Sequence, residues 1–145
     1  MPCDNTNKDT MHLEGYTMPK SIVPESLESY VTDWMMSPGL EHDGFVFMTG
    51  LTGADADGLL ADNPTDQIEA VFEKIGMVLA EAGLGFEHLV EMTSYHVGLR
   101  DHLNAFKDIR AKYVSEPFPA WTAIEVAGFV REGACIEIRC IARRN

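Results

Sequence analysis

The stretch Ala134-Cys135-Ile136-Glu137-Ile138-Arg139-Cys140-Ile141-Ala142 constrains the fold more than any other part of the chain. Successive side chains of a strand point to opposite faces, so Ile136, Ile138, Cys140 and Ala142 share one face and Glu137 and Arg139 share the other. That is the pattern of a half-buried strand, with one side on a core. Upstream, Phe118-Pro119-Ala120-Trp121-Thr122-Ala123-Ile124-Glu125-Val126 reads as a companion strand. A carboxylate between two isoleucines either points into water or lines a pocket that uses it.

The rest of the chain supplies helices and further strands. Asn63-Pro64 is a helix start, a capping residue followed by proline at the first helical position. Ile68, Val71, Phe72, Ile75, Val78, Leu79 and Ala82 then recur at three- and four-residue steps, and Gly83 closes the helix. Asp101 is placed to cap a second helix, with Leu103, Phe106, Ile109 and Tyr113 facing inward. Tyr30–Ser37 reads as a first strand, His42-Asp43-Gly44 as a turn, Phe45–Thr49 as a second strand and Leu89–Val97 as a third. Residues 1–28 are polar, punctuated by Pro19 and Pro24, and are expected to form an arm ahead of a single domain over 29–145. Two helices among five strands predict an α+β fold with both helices on one face of a sheet. The uncovered face then calls for another copy of the chain, so an oligomer is expected.

Composition narrows the function classes. A chain of 145 residues is long enough to bury a core without disulfides or structural metal. No apolar run is long enough to cross a bilayer, so no membrane partner is expected. The start, Met1-Pro2-Cys3-Asp4-Asn5-Thr6-Asn7, does not resemble a secretory signal, and the three cysteines have no Cys-x-x-Cys spacing; a cytoplasmic protein with reduced thiols is expected. The net charge is −12, with three basic and seventeen acidic side chains over residues 1–99. Such a surface repels phosphate backbones, so no nucleic-acid partner is expected. Arg139, Arg143 and Arg144 are the candidates for a local basic patch, though a solvated surface is the simpler reading. His12, His42, His88, His96 and His102 lack metal-ligand spacing, and Asp55-Ala56-Asp57-Gly58 has no later glutamate where a calcium loop needs one; no metal and no cofactor are expected. Gly50-x-x-Gly53 lacks the Lys-Ser/Thr of a phosphate loop.

Several segments, in order, carry a resemblance. They are Phe47-Met48-Thr49-Gly50; Gln67, Val71, Phe72, Leu79, Ala82 and Gly83; Phe86-Glu87-His88-Leu89-Val90 with Met92-Thr93-Ser94-Tyr95; and Phe118-Pro119-Ala120, Val126, Ile136-Glu137-Ile138 and Ala142. Together they resemble the reactive intermediate deaminase family (Rid, YjgF-like or L-PSP) across residues 31–142. The resemblance implies a chorismate-mutase-like unit assembled as a homotrimer with ligand clefts between subunits. It also implies hydrolysis of 2-imino or 2-enamino acids to 2-oxo acids and ammonia, with an arginine gripping the substrate carboxylate bidentately and a glutamate positioning water.

Only part of that machinery is present. Glu137 falls on the glutamate position and Thr49 on the hydroxyl position, so these two are the candidate catalytic residues. The arginine position is Trp121, the residue two further on is Ala123, the helix-borne asparagine position is Phe106, and the early tyrosine position is Met36, or has no counterpart if the loop shifts. The pocket implied is Met36, Thr49, Phe106, Trp121, Ala123 and Glu137, with one charge, a negative one. An indole cannot make two charge-assisted hydrogen bonds to a carboxylate, and losing such a pair costs about 2–5 kcal/mol. The pocket therefore suits an apolar, aromatic or cationic small molecule, with Trp121 and Glu137 holding an amine or iminium. Each residue also has a plainer reading: Trp121 as an interface anchor, Glu137 in an ion pair with Arg139 or with a basic residue of a neighbouring subunit, Thr49 as a strand-end hydroxyl, Phe106 and Met36 as packing. Three functions follow: an atypical imine or enamine hydrolase, a catalytically silent small-molecule-binding trimer, and, least favoured by the charge, an endoribonuclease.

Overall fold

The computed structural model of the protein describes residues 15–145. Seven strands form one mixed sheet: β1 (Lys20–Ile22), β2 (Gly39–His42), β3 (Phe45–Met48), β4 (Leu51–Thr52), β5 (Leu89–His96), β6 (Ala120–Glu125) and β7 (Ile136–Arg143). The order across the sheet is β1-β2-β3-β7-β5-β6, with β4 also pairing to β7. All pairings are antiparallel except β5 with β6. Three helices accompany it: α1 (Glu28–Trp34), α2 (Pro64–Glu81) and α3 (Leu99–Arg110).

The alternation read from residues 136–142 is realised in β7. Ile136, Ile138, Cys140 and Ala142 are buried in the core, whereas Arg139 is exposed and Glu137 half-buried on the other side. The β2–β3 hairpin turns through Asp43 (φ 51°) and Gly44 (φ 77°), two successive left-handed residues that suit the twist of the strands they join. In α2 the Asn63 side chain accepts from the Asp66 amide at 2.9 Å, Pro64 opens the helix, and Gly83 follows its end at φ 71°. Ile68, Val71, Phe72, Ile75, Val78 and Leu79 are buried against the sheet, as their spacing requires.

Four expectations are corrected. Tyr30–Ser37 is not a strand; most of it belongs to α1, so the chain has three helices, not two. The β-branched and aromatic residues there suggested a strand, but the ladder position beside β2 is taken by Lys20–Ile22. That same strand, with Leu27 buried, builds part of the stretch 1–28 into the domain; residues 1–14 of the expected arm lie outside the described residues. Asp101 does not cap α3. The helix starts after Gly98 (φ 74°), and Glu125 accepts from the Leu99 amide at 3.1 Å, so the end of β6 caps the helix.

The face of the sheet away from α2 and α3 is open in the single chain. Phe45, Phe47 and Ile124 are exposed there. The arginines considered for a basic patch are mostly occupied: Arg144 pairs with Glu41 at 2.8 Å and donates to the Ala82 carbonyl, and Arg143 donates to the Asp43 carbonyl and lies over Phe45. Among the described residues no helix is long and apolar enough to cross a membrane.

Candidate functional site

Glu137 sits on β7 opposite Thr52 of β4 and Tyr95 of β5. Its position in the alternation turns it away from the core, toward a cavity of about 840 Å³ formed by α1, the turn before β4, the loop after β4 and the loop before β7. That volume is within the usual range for small-molecule sites. Tyr30, Trp34, Met36, Thr49, Arg131 and Glu137 are among its walls. Gly50 makes the approach possible: a Cβ there would collide with the Glu137 carboxylate. Glu137 has no hydrogen-bond or ion-pair partner among the described residues, so the expected alternative of a pair with Arg139 is not formed. Burial without a compensating partner raises its pKa above the ordinary carboxylate range.

Thr49 and Met36 touch each other as well as the cavity. The Thr49 hydroxyl donates to the Met36 sulfur at 3.3 Å, and the two backbones are pinned by Met36 to Tyr30 (3.1 Å) and Thr49 to Pro38 (3.1 Å). The turn that carries Met36 is fixed by Met35 at φ 52°.

The other three candidates lie elsewhere in the protomer. Trp121 is in register with Met92, and through it with Cys140, so it faces the helices. Its indole packs 5.5 Å from the buried Phe106 ring and donates to Ser94 Oγ at 2.9 Å, and the Arg110 guanidinium lies 4.6 Å over it. Ala123, in register with Ser94, shares that face. The two-residue period of the strands therefore divides the six candidates. Met36, Thr49 and Glu137 meet in the cavity, while Phe106, Trp121 and Ala123 meet at the β6 edge on the opposite face.

The cavity also corrects the expectation of a single charge. Arg131 is one wall, its Nη1 donating to the Gly58 carbonyl at 2.7 Å, and Asp33, Asp55, Asp57 and Glu132 are others. The balance remains acidic. Tyr30, Trp34 and Arg131 were missed because α1 and the loop before β7, about a hundred residues apart in the chain, bring them together. Behind Tyr30 stands the buried Lys74, donating to the carbonyls of Thr52 (2.7 Å) and Ala54 (2.5 Å) and to the Tyr30 hydroxyl (3.3 Å). A sequence signal for it existed: Lys74 lies between Val71 and Val78 on the apolar stripe of α2. Among the described residues no group of three or more His, Cys, Asp or Glu side chains is arranged to hold a metal ion.

The profile of the family described as Endoribonuclease L-PSP matches residues 26–144, nearly the whole described chain. The chain belongs to the L-PSP (Rid/YjgF-like) family. Similar L-PSP proteins include the RutC family protein YjgH of Escherichia coli, 28% identical over 127 residues that cover 85% of this chain and 93% of that protein. A protein of Capra hircus named 2-iminobutanoate/2-iminopropanoate deaminase is 29% identical over 102 residues, covering 69% and 73%. The solved structure of protein YjgH superposes with a TM-score of 0.80 at 23% identity, covering 88% of this chain and 98% of that one, which places the L-PSP fold on this α+β sheet.

Proposed function

We infer that this L-PSP protein is a hydrolase of small imines or enamines, assembled as a homotrimer, whose substrate lacks the carboxylate grip made by an arginine at position 121. The observation that carries this reading is Glu137: a half-buried carboxylate of raised pKa, without a hydrogen-bond or ion-pair partner among the described residues, against Gly50, in a cavity that also holds Thr49. A base whose pKa is shifted toward neutrality is suited to exchanging protons with water and nitrogen. Water adds its oxygen to the carbon of the C=N bond while Glu137 accepts the proton. That proton then passes to nitrogen, the C–N bond breaks and ammonia leaves, and the hydroxyl gives its remaining proton to the Glu137 carboxylate, so that a carbonyl remains. The acidic walls and the rings of Tyr30 and Trp34 favour a cationic iminium over an anionic substrate. In the homotrimer, a neighbouring β6 edge would close the cavity and bring Trp121, Phe106 and Ala123 to its rim, with Trp121 as an apolar wall.

The test is ammonia release from 2-iminobutyrate and from an uncarboxylated imine, both made in situ. The uncarboxylated imine is expected to react with the higher kcat/KM, and Glu137→Gln to lower kcat by about 10²–10⁴-fold. Turnover of the carboxylated substrate that survives Glu137→Ala overturns the role given to Glu137. The aromatic and thioether lining of the cavity favours a second reading, a silent binding protein for hydrophobic amines. A ligand at about 100 times its Kd raises stability by roughly 2.7 kcal/mol, so a thermal-shift screen with turnover assays separates the two. The family description names an endoribonuclease, but a net charge of −12 weighs against RNA as substrate.

A further inference from the structure

Lys74 is the one lysine of α2, and it is buried. An ammonium has three N–H donors and no acceptor, and here all three are used: two by the carbonyls of Thr52 and Ala54, one by the Tyr30 oxygen. Tyr30 therefore accepts from Lys74, and its own O–H proton must point elsewhere. Tyr30 is a wall of the Glu137 cavity. Burial raises the pKa of its phenol, so the proton stays on. The contact to Tyr30, at 3.3 Å, is the longest of the three.

We propose that Lys74 is a positioning residue whose ammonium fixes the Tyr30 hydroxyl as a hydrogen-bond donor into the Glu137 cavity, and that loss of one proton from Lys74 reverses this hydroxyl into an acceptor. A neutral amine keeps two N–H groups and gains a lone pair. The two N–H groups stay with the closer carbonyls, and the lone pair receives the Tyr30 O–H. The phenol oxygen is then left presenting only lone pairs to the cavity. The cavity thus offers a donor in one protonation state and an acceptor in the other, and it selects ligands accordingly. With Lys74 charged, the site takes a molecule that presents an acceptor to Tyr30, such as a carbonyl or hydroxyl oxygen beside its reacting nitrogen.

The groups facing this couple are few. Burial, and then Arg131 from the loop before β7, push Lys74 down to about 8, opposed by Asp55 from the loop after β4. Glu137 on β7 acts on Tyr30, as does Arg131. Asp33 on α1 lines the same cavity. Carboxylates and guanidinium groups do not change charge near pH 8, which leaves Lys74 as the group that does. That this cavity holds a ligand rests on the function proposed above; the Lys74–Tyr30 couple does not.

The experiment follows the Tyr Cζ resonances of the full chain carrying [13Cζ]-tyrosine, titrated between about pH 6.5 and 9.5. Tyr30 is one of four tyrosines, and the resonance lost in Tyr30→Phe identifies it. A step in its shift with a midpoint near 8, far smaller than ionisation of a phenol produces, is the expected result. Lys74→Arg, which keeps a cation that cannot lose its proton in this range, is expected to abolish the step. Lys74→Met gives the same reading if it folds. A Tyr30 resonance that is flat through the range in the wild-type protein, or a step that persists in Lys74→Arg, overturns the proposal. For imine hydrolysis, kcat/KM is expected to bend at the same midpoint and to lose that bend in Lys74→Arg. A Cζ step in a protein that hydrolyses no imine supports the couple while refuting the hydrolase reading.

Discussion

Replacing Ser94 by alanine tests how the β6 edge is held. Ser94 is fully buried on β5. Its oxygen accepts from Trp121 Nε1 at 2.9 Å and is hydrogen-bonded to His96 Nε2 at 2.7 Å. His96 Nδ1 is in turn hydrogen-bonded to His102 Nε2 at 3.0 Å. Burial lowers the pKa of both imidazoles, so both are neutral at pH 7.5. Removing the Ser94 hydroxyl strands the indole N–H of the part-buried Trp121 and Nε2 of the fully buried His96. An unsatisfied buried group costs about 1–3 kcal/mol, so Ser94→Ala is expected to cost about 2–4 kcal/mol. For a domain whose total stability is on the order of 5–15 kcal/mol, this is a large fraction. Urea unfolding at pH 7.5, followed by far-UV circular dichroism, measures it. The double-mutant cycle is sharper. Trp121→Phe should be destabilising in the wild-type background and nearly neutral in Ser94→Ala, because the partner of the indole N–H is already gone. A Ser94→Ala cost below about 0.5 kcal/mol, or an equal Trp121→Phe cost in both backgrounds, refutes the stabilising role given to this hydrogen-bonded chain.

Two further perturbations address the histidines and the cavity. Burial, then the neighbouring His102, lowers the His96 pKa to about 4 in the folded chain, against an ordinary 6.5. Below about pH 6.5 the unfolded chain binds a proton at this residue that the folded chain refuses, so stability is whole above that pH and drains away toward pH 4, by up to roughly 3 kcal/mol. Urea midpoints at about pH 7.5 and 4.5 should show the fall, and His96→Gln should reduce its slope. Gly50→Ala should push the Glu137 carboxylate out of its place and cut imine hydrolysis at least about tenfold with little change in Tm; unchanged turnover would show that the carboxylate works from a different position.

What was legible in the chain was whatever is written locally. The strands β3, β5, β6 and β7 follow from alternation and turn residues, and α2 from a three-and-four spacing closed by an asparagine cap and a glycine. Helix α1 was not legible, because none of its residues is fully buried and only Tyr30 packs against the core, so it carries no period. Its content of Tyr30, Val31 and Thr32 favoured a strand, and only the occupation of the neighbouring ladder position by Lys20–Ile22 decides otherwise. The site divides in the same way. Glu137, Thr49 and Met36 were placed by resemblance and meet in the cavity. The separation of Trp121 from Glu137 follows from parity along paired strands, which needs the register of β5, β6 and β7. Arg131 and Trp34 come from segments distant in the chain, and no local pattern ties them together.

Strand β7 lies in the middle of the sheet, with β3 and β4 on one side and β5 on the other, yet of all the described elements it leaves the ribosome last. Until residues 136–143 emerge, the hairpin from the first third of the chain and the β5–α3–β6 unit have no common partner, and each shows a bare backbone edge. Nascent chains of this protein should therefore stay in need of chaperone shelter until residues 136–143 have emerged.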